Sequence, residues 1–549
     1  MKRFFLLFFL TSFYFKLTAQ WNTNTSVNTP ISVNTNSQKE IHAVSDTKGG
    51  AILVWEDSRN TLTNSTDIYV QRIDSNGYTK WATNGVVICA NAALQQSASI
   101  VEDGNGGAII TWEDFRAGNF DIYAQHIDSM GNSLWTANGL VICNKINTAQ
   151  KSPKIIGDNS GGAIIVWEDS LNLYFDVYAQ KINANGTVAW SANGVAACTA
   201  VNTQINPKID TDGAGGAIIT WQDRRNNVDY DVYAQRLDSS GIAQWTANGV
   251  VICSTTSTQS NPRIEPDGLG GAIIGWVDKR NGIDNNIYAQ RINSSGTVQW
   301  TANGINICNA AANQSALDIK YAGANGVFFT WKDQRNGSYD IYAQLLDLSG
   351  LVQLPTNGIK LSSSLKSINP NNVADDAGGV ITVWQDSTIS GWNIMAQKLN
   401  STGTTQWATN GAIVSNATDD QINATNVSDG TGGAVFVWED HRNTLDYDIY
   451  AGNLYTNGTT TGITETLNEV EVITYPNPAK DFISFSINNK TNSAKIITLF
   501  NSIGKTIKKI ETTENSIAIS LSEYESGIYF YTIKLTNNLY SKGNFVLSK

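Results

Sequence analysis

One segment recurs eight times in this chain, and it constrains the possible folds more than any other feature. The second copy reads GGAIITWEDFRAGNFDIYAQ and occupies residues 106–125. The copies align on a tryptophan, and successive tryptophans are 57, 55, 54, 55, 55, 53 and 54 residues apart. A fixed period of this size indicates a solenoid, a propeller or an array, because each unit buries its apolar surface against its neighbours. The aligned tryptophans are Trp55, Trp112, Trp167, Trp221, Trp276, Trp331, Trp384 and Trp438.

Each unit divides into four predicted strands. In the second copy these are SASIVED (97–103), AIITWED (108–114), DIYAQHID (121–128) and LWTANGLVIC (134–143). The second strand is almost entirely apolar, as expected for a strand that is covered on both faces. Gly131 lies in the turn after the third strand, where a positive φ is expected. Four antiparallel strands per unit are typical of a propeller blade.

The two ends of the repeat region complement each other. The eighth copy ends without a fourth strand, and TPISV at residues 29–33 is similar to that missing strand. We therefore expect an all-β fold, an eight-bladed β-propeller over residues 20–460 that is closed by an N-terminal strand; a linear solenoid is the alternative. Closure would hide the edges that an open array of sheets exposes. The motifs GGAIxxWED and DIYAQ resemble the repeats of secreted bacterial β-propeller proteins.

Residues that recur in every unit are interpreted as structural. Fifteen of the sixteen tryptophans occupy repeated positions, and we expect them to form the core. An Asp follows two residues after each aligned tryptophan, and in six units an Arg follows that Asp, so we expect Asp–Arg pairing; a ring of carboxylates for metal or substrate is the alternative. A glutamine recurs in seven units and is expected to form a structural hydrogen bond. No cofactor, metal site or catalytic residue is predicted.

The five cysteines also occupy one repeated position. Their number is odd, and neighbouring packed sheets lie about 10 Å apart, whereas a disulfide requires Cα atoms within about 7 Å. We therefore expect five free, buried thiols. The cysteines are Cys89, Cys143, Cys198, Cys253 and Cys308.

Charge and hydropathy limit the partners. The net charge of -11 argues against nucleic acid or an anionic membrane as a partner. Residues 1–19 combine Lys2 and Arg3 with a short apolar stretch and a small-residue end, which predicts a signal peptide. No later stretch reaches 18 apolar residues, so no transmembrane segment is expected in the mature protein.

The composition changes near the C-terminus. Residues 475–549 hold 9 Lys and 5 acidic residues, a net charge of +4 in an acidic protein, which predicts a separate domain. We expect a linker at 461–473 and a small β-sandwich of about seven strands at 474–549. This segment resembles the type A C-terminal sorting domain of the Bacteroidetes type IX secretion system. The matching residues are Tyr475, Pro476, Asn477, Pro478, Asp481, Gly504, Gly527 and Tyr529.

That resemblance implies recognition by the type IX translocon, and a protein that is secreted or attached to the outer surface of the cell. A ligand is expected where the copies of the repeat differ most, in units seven and eight. The candidate residues are Trp392, Asp419, Asp420, His441 and Tyr447. The leading hypothesis is a binding or adhesion module for an extracellular glycan or protein. A polysaccharide-active hydrolase or lyase is the alternative, and a structural coat protein is a third possibility.

Overall fold

The structure is a computed structural model that describes residues 21–60, 65–171, 174–362, 365–460, 472–487, 494–502, 505–535 and 540–549. The predicted signal peptide and most of the predicted linker lie outside these residues. The chain divides into two compact units, Met1–Gly462 and Ile463–Lys549. We describe each unit by itself.

The described part of the first unit consists of repeated four-stranded antiparallel sheets, numbered here in the order of their central tryptophans. The N-terminal strand is β1 (Thr29–Ser32). Sheet 1 holds β2 (Gln38–Ser45), β3 (Ala51–Asp57), β4 (Asp67–Ile73) and β5 (Val86–Cys89). Sheet 2 holds β6 (Gln95–Glu102), β7 (Ala108–Asp114), β8 (Asp121–Ile127) and β9 (Leu140–Cys143). Sheet 3 holds β10 (Gln150–Gly157), β11 (Ala163–Leu171), β12 (Tyr174–Ile182) and β13 (Val195–Cys198).

The later sheets repeat this order. Sheet 4 holds β14 (Gln204–Thr211), β15 (Ala217–Asp223), β16 (Asp231–Leu237) and β17 (Val250–Cys253). Sheet 5 holds β18 (Gln259–Pro266), β19 (Ala272–Asp278), β20 (Asn286–Ile292) and β21 (Ile305–Cys308). Sheet 6 holds β22 (Gln314–Tyr321), a 3-10 turn (Gly323–Asn325), β23 (Val327–Asp333), β24 (Asp340–Leu346) and β25 (Ile359–Lys360). Sheet 7 holds β26 (Ser367–Ala374), β27 (Val380–Thr388), β28 (Gly391–Leu399) and β29 (Ala412–Ser415).

Sheet 8 draws its strands from both ends of the repeat region. It holds β30 (Gln421–Ser428), β31 (Ala434–Asp440) and β32 (Asp448–Leu454), and its fourth strand is β1. In the antiparallel register of β1 with β32, Thr29 lies opposite Ala451 and Ser32 lies opposite Ile449. The N-terminal strand therefore takes the place of the fourth strand that the eighth copy of the repeat lacks.

The apolar cores lie between consecutive sheets. The core between sheets 1 and 2 combines Val54 of β3 with Trp112 of β7, and another core combines Trp55 of sheet 1 with Val437 of sheet 8. The second strands are buried along almost their whole length, because a neighbouring sheet covers each face. This explains their nearly uninterrupted apolar sequence.

The fourth strands are shorter than the sequence predicts. In sheet 2 the predicted strand runs from residue 134, whereas β9 begins at Leu140. Asn138 and Gly139 both have a positive φ, 61° and 89°, which interrupts an extended backbone. A Cβ atom at position 139 would lie 2.4 Å from the Trp112 ring, so glycine is required there.

Two of the fifteen repeated tryptophans depart from the core prediction. Trp135 and Trp300 are half-buried, while the other thirteen are buried. Both belong to the turn that precedes the short fourth strand at the outer edge of a sheet. Their indole N–H groups still donate to the next sheet, to the carbonyls of Ala184 and Leu348.

The second unit is also all-β in the part that the structure describes. One sheet has the order β33 (Val472–Tyr475), β34 (Phe482–Ile487), β37 (Ser516–Ser520). The other has the order β36 (Thr506–Thr512), β35 (Lys495–Phe500), β38 (Gly527–Leu535), β39 (Tyr540–Leu547). Both sheets contribute to one apolar core, in which Phe485 of the first sheet meets Tyr531 of the second with ring centroids 4.9 Å apart.

Candidate ligand-binding site and relatives

The repeated Asp residues are occupied by structural contacts. In sheet 2 the Trp112 indole N–H donates to Asp114 Oδ2 at 3.0 Å, and Arg116 Nε donates to Asp114 Oδ1 at 2.8 Å. The same guanidinium lies 3.9 Å from the ring centroid of Tyr123. The Asp–Arg pair recurs in all six sheets that carry the Arg. The predicted structural pairing is therefore confirmed.

In the two sheets without this Arg, the Asp has other neighbours. In sheet 3, Lys145 Nζ lies 3.7 Å from Asp169 Oδ2. In sheet 7, the Ser367 hydroxyl donates to Asp386 Oδ1 at 2.7 Å. A lysine thus replaces the arginine in sheet 3, and a hydroxyl group replaces it in sheet 7.

The cysteines are free and buried, as expected. Cys89 Sγ lies 3.7 Å from Asp114 Oδ2 and 3.2 Å from Arg116 Nη2 of the next sheet. Burial raises the pKa of Cys89 to about 12. The thiol thus belongs to the contact between two sheets and is a poor nucleophile at neutral pH.

The five candidate ligand-binding residues lie on one face, which we call the loop face. It is formed by the loops that follow the second strand and precede the first strand of each sheet. Asp419 and Asp420 directly precede β30, and His441 directly follows β31. Trp392 is the second residue of β28, and Tyr447 directly precedes β32. Because neighbouring strands are antiparallel, all of these positions lie at the same end of sheets 7 and 8.

The structure brings these residues together, and we call them the loop-face cluster. His441 Nδ1 lies 3.0 Å from Asp419 Oδ2. The His441 and Tyr447 rings have centroids 4.7 Å apart. The backbone N–H of Trp392 donates to Asp420 Oδ1 at 3.1 Å, and that of His441 donates to the Asp420 carbonyl at 2.8 Å. Five residues that are up to 55 positions apart therefore form one contiguous cluster.

A glycine permits the close approach of the two sheets at the cluster. A Cβ atom at Gly391 would lie 2.7 Å from the Asp419 carbonyl oxygen and 3.0 Å from Asp420 Oδ1. Gly391 has a φ of 135°, which side chains rarely adopt. In the seventh copy of the repeat, QDSTISGWN replaces the usual EDxRN sequence. This replacement creates the space in which Trp392 meets the loop of the next sheet.

The cluster offers both aromatic surface and polar groups. The side chains of His441 and Asp419 are 25% and 35% exposed, and Trp392 and Tyr447 are half-buried. Burial, together with the charges of Asp420, Glu439 and Asp419, raises the pKa of Tyr447. Its hydroxyl therefore remains protonated and can donate a hydrogen bond, while the two carboxylates can accept hydrogen bonds.

Two lysines extend the cluster. Lys366 Nζ lies 5.2 Å from the Trp392 ring centroid, and Lys39 Nζ lies 4.6 Å from that of Tyr447. These distances suit cation–π contacts. Lys366 directly precedes the first strand of sheet 7, and Lys39 is the second residue of the first strand of sheet 1. Neither was identified from the sequence, because the repeat varies at both positions.

The corresponding aromatic residues of other sheets contact an aromatic ring or cations. Phe120 packs on Phe115 of its own loop with ring centroids 5.0 Å apart. Lys332 lies 4.6 Å from the Tyr339 ring, and Arg224 lies 6.0 Å from the Tyr230 ring. These residues lack a neighbouring carboxylate–imidazole pair, so the cluster between sheets 7 and 8 stands apart among the described loops.

A second feature was missed by the sequence analysis. The residue between the aligned tryptophan and the Asp is Glu or Gln in six units, and its side chain accepts a backbone N–H from the first strand of the next sheet. Ser97 N–H donates to Glu56 at 2.6 Å, and Asn261 N–H donates to Gln222 at 2.9 Å. Glu40 N–H donates to Glu439 at 2.8 Å. We call this contact the inter-sheet latch; the repeated Glu/Gln is the signal that could have revealed it.

The first strands enclose a cavity of about 330 Å³, which we call the inner cavity. Its lining includes Glu40 and His42 of sheet 1, Arg263 of sheet 5, Asp318 of sheet 6 and Glu439 of sheet 8. Burial raises the pKa of Glu439 to about 7, although hydrogen bonds from Asn423 and Glu40 lower it. Polar and charged groups from sheets distant in the sequence thus face one space.

The residues of the sorting-domain resemblance lie near the two chain ends of the second unit. Asn477 Oδ1 accepts a hydrogen bond from the Val546 N–H at 2.9 Å, and the Asp481 carbonyl accepts one from Leu521 at 2.8 Å. The Tyr529 hydroxyl donates to the Glu525 carbonyl at 2.8 Å, and its ring stacks on Phe545. Tyr475, Pro476 and Pro478 surround Asn477, and Gly527 begins β38, whereas Gly504 lies outside the described residues.

Comparisons with known proteins identify the tail. Residues 473–546 match the family described as the secretion system C-terminal sorting domain. No curated protein matches the chain.

Several solved structures are similar to the chain at a low level. They include a protein of unknown function from Dyadobacter fermentans (11% identity, TM-score 0.33, covering 57% of this chain and 96% of that one). They also include PorZ, a surface component of the type-IX secretion system of Porphyromonas gingivalis (11%, 0.29, 94% and 82%). An ulvan lyase from a family of polysaccharide lyases is similar too (10%, 0.37, 80% and 96%). At these TM-scores the likenesses carry no conclusion about the function of this chain.

In the part of the chain that the structure describes, no helix has the length and apolar character that crossing a membrane requires. The C-terminal segment is the part of the chain that identifies the export route. Its family match agrees with the residues that first suggested it, from Tyr475 to Tyr529. The chain is a propeller-like repeat protein with a secretion system C-terminal sorting domain, and the type IX secretion system exports it to the cell surface or the extracellular space.

Proposed function

We propose that the protein is an extracellular binding or adhesion module whose eight sheets are the blades of a closed propeller. In this proposal residues 1–19 are a signal peptide, 20–460 form the ring, 461–473 are a linker and 474–549 engage the translocon. The ring is supported by the pairing of β1 with β32. It is also supported by the latch between Glu40 and Glu439, which has the geometry of the latches between consecutive sheets.

The loop-face cluster is proposed as the ligand site, and a glycan is the proposed ligand. The observation that carries the proposal is the convergence of His441, Asp419 and Tyr447 beside Trp392. An aromatic ring offers an apolar plane to the C–H face of a sugar, while carboxylates accept hydrogen bonds from hydroxyl groups. A half-exposed cluster of this kind suits a shallow binding surface. It offers little of the continuous apolar area found at the centre of a protein interface.

A glycan array probed with the full chain tests this function. We expect binding to a subset of glycans, and at least tenfold weaker binding by Trp392→Ala and Asp419→Asn. Tyr230→Ala is the matched control, because Tyr230 holds the corresponding position in sheet 4 and lacks the carboxylate–imidazole pair. Absence of any glycan bound, or equal binding by all three variants, would contradict the proposal. Capture of a defined surface protein that depends on Trp392 would instead favour a protein ligand.

A polysaccharide-active enzyme is the second candidate, and the inner cavity favours it. Glu40 and Glu439 both line that cavity, and a carboxyl group with a pKa of about 7 can donate a proton at neutral pH. Release of reducing ends or unsaturated products from a polysaccharide panel tests this candidate. Glu439→Gln should abolish the activity and preserve the latch, since Gln222 and Gln385 accept the same hydrogen bond in sheets 4 and 7. Turnover that survives Glu439→Gln would exclude this role for Glu439.

A further inference from the structure

Contacts between lysines and aromatic rings continue from the loop-face cluster into sheet 6. Lys366 Nζ lies 5.2 Å from the Trp392 ring centroid and 5.7 Å from the Tyr339 ring centroid. Lys332 Nζ also lies 4.6 Å from the Tyr339 ring centroid. Tyr339 directly precedes β24, and Lys332 is the sixth residue of β23, so both lie at the loop-face end of sheet 6. Lys366 therefore joins the aromatic rings of two consecutive sheets.

The same series of contacts continues in the other direction to sheet 1. The loop-face cluster already spans sheets 7 and 8, from Trp392 to Tyr447. Lys39, the second residue of β2, lies 4.6 Å from the Tyr447 ring centroid. Aromatic rings, lysines and the carboxylate–imidazole pair thus follow one another over sheets 6, 7, 8 and 1. We call this series the loop-face track, and it consists of Lys332, Tyr339, Lys366, the loop-face cluster and Lys39.

The aromatic position of the repeat defines where the track ends. This position holds Asn285 in sheet 5 and Thr66 in sheet 1, and neither residue has an aromatic ring. Sheets 2, 3 and 4 do carry an aromatic residue there, and these are Phe120, Phe175 and Tyr230. Among the described residues, however, no lysine or ring contact joins Phe175 to the loops of sheet 4. A continuous track is therefore confined to sheets 6, 7, 8 and 1.

The lysines of the track are available to a ligand. Lys39 and Lys366 are exposed, and the aromatic residues of the track are half-buried. Within the part of the chain that the structure describes, none of the three lysine Nζ atoms has a hydrogen bond or an ion pair. Lys360 of sheet 6, in contrast, pairs with Asp340 at 2.9 Å. Each ammonium group of the track can therefore donate hydrogen bonds to oxygen atoms of a ligand.

We propose that the ligand of the loop face is a linear oligosaccharide chain that lies along the track and contacts sheets 6, 7, 8 and 1 together. This inference rests on the proposed function, because it extends the glycan site at the loop-face cluster. Each aromatic plane packs against one sugar ring, and the ammonium groups between the planes donate to hydroxyl or carboxylate oxygens. Packed sheets lie about 10 Å apart, so a track over four sheets is much longer than one sugar ring. The ligand class is therefore a polysaccharide or its longer fragments.

Calorimetric titration of the full chain with oligosaccharides of increasing length tests the inference. The probes are the di-, tetra- and hexasaccharides of the cellulose, xylan, mannan and galacturonan backbones. In at least one of these series we expect the affinity to rise at least tenfold from the disaccharide to the hexasaccharide. Binding that does not strengthen with length would overturn the inference and leave the glycan-binding function standing. Failure of every series to bind would also overturn it, while the glycan array decides the proposed function separately.

The galacturonan series shows which oxygens the lysines contact. If these acidic oligosaccharides bind more tightly than neutral ones of the same length, and NaCl weakens that binding by screening, the lysines pair with carboxylates. Equal or weaker binding of the galacturonan series assigns hydroxyl oxygens to the lysines instead.

The repeat supplies variants for both ends of the track that should fold. Tyr339→Asn introduces the residue found at this position in sheet 5, and Lys39→Ser introduces the residue found at its position in sheets 5 and 6. We expect each variant to lower the hexasaccharide affinity at least fivefold and the disaccharide affinity by a smaller factor. Tyr230→Ala, on a loop outside the track, is the control and should bind the hexasaccharide as the wild type does.

The double variant separates binding from folding. Its midpoint of thermal unfolding should stay close to that of the wild type, because both substitutions occur naturally in other sheets. An equal loss of affinity for the disaccharide and the hexasaccharide would overturn the inference. Hexasaccharide binding by the folded double variant with wild-type affinity would overturn it as well.

Discussion

The backbone N–H of Glu40 donates a hydrogen bond of 2.8 Å to Oε1 of Glu439, which lies 399 residues further along the chain. This contact joins the first strand of sheet 1 to the second strand of sheet 8. The same contact joins sheets 1 and 2 through Glu56 and Ser97. The same type of hydrogen bond therefore joins sheet 8 to sheet 1 as joins two consecutive sheets.

The latch carboxylate makes stability depend on pH. Burial raises the pKa of Glu439 from its ordinary value of 4.5 to about 7, so between these values the folded state binds more protons than the unfolded state. Its contribution to the free energy of unfolding therefore falls as the pH rises through this window. We expect Glu439→Gln to gain on the order of 1–3 kcal/mol relative to wild type between pH ~4.5 and pH ~7, measured by urea denaturation at both ends. Glu102→Gln, at the exposed end of β6, should show no such change; parallel behaviour of Glu439→Gln and wild type would contradict the assignment.

The N-terminal segment should stabilise sheet 8 through Asn28. Its Oδ1 accepts hydrogen bonds from the Ser415 hydroxyl at 2.8 Å and Arg442 Nη2 at 3.2 Å, and its Nδ2 donates to the Val414 carbonyl at 3.0 Å. We expect Asn28→Gly to lower the free energy of unfolding by about 1–3 kcal/mol, because buried partners lose their hydrogen bonds. Chemical denaturation measures this loss.

The backbone at Asn28 supplies a comparison. Asn28 has a φ of 54°, and Gly85 holds the corresponding place before the fourth strand of sheet 1. Glycine therefore keeps the backbone conformation, whereas Asn28→Ala adds a left-handed strain of about 1 kcal/mol. An Asn28→Gly variant as stable as wild type would show that the side-chain bonds contribute nothing to stability.

We expect all five cysteines to be free thiols that are protected from alkylation in the folded protein. Alkylation of the denatured protein without reductant is expected to add five labels, counted by intact mass. Alkylation of the folded protein at neutral pH should add almost none, because the sulfurs are buried and burial raises the pKa of Cys89 and Cys308 to about 12. Fewer than five labels after denaturation would indicate a disulfide.

Replacing one of the repeated tryptophans by alanine should lower the stability of the protein strongly. Trp112 is fully buried between sheets 1 and 2, and we expect Trp112→Ala to cost about 3–5 kcal/mol in the free energy of unfolding. Met130→Ala is the control, since Met130 is 78% exposed and should change stability by less than about 0.5 kcal/mol. A cost for Trp112→Ala below about 1 kcal/mol would mean that the cavity collapses or that the sheets unfold separately.

Much of the local structure follows from the repeat. The apolar second strand, the positive φ of Gly131 (90°) and the pairing of Asp114 with Arg116 were all expected and are present. The length of the fourth strand was overestimated, because the sequence pattern does not reveal the left-handed backbone at Asn138. The latch glutamates were overlooked, since a Glu beside a conspicuous Trp and Asp gives no local sign that its partner lies in the next sheet.

The residues of the candidate site could be predicted from the sequence, but their mutual contacts could not. Trp392, Asp419, Asp420, His441 and Tyr447 were singled out only because units seven and eight depart from the repeat. Their mutual contacts, and the part that Gly391 plays in them, depend on how two sheets pack.

The sequence by itself determined the strand-rich repeat, its period and the sorting tail, since these depend on patterns within about 55 residues or on short motifs. The sequence also predicted that residues 29–33 complete the eighth sheet, whereas only the tertiary structure decided the register of that pairing and which side chains share the inner cavity. The physical reason is that packing between sheets relates residues by register and not by distance along the chain. Residues that are far apart in the sequence thereby line one cavity.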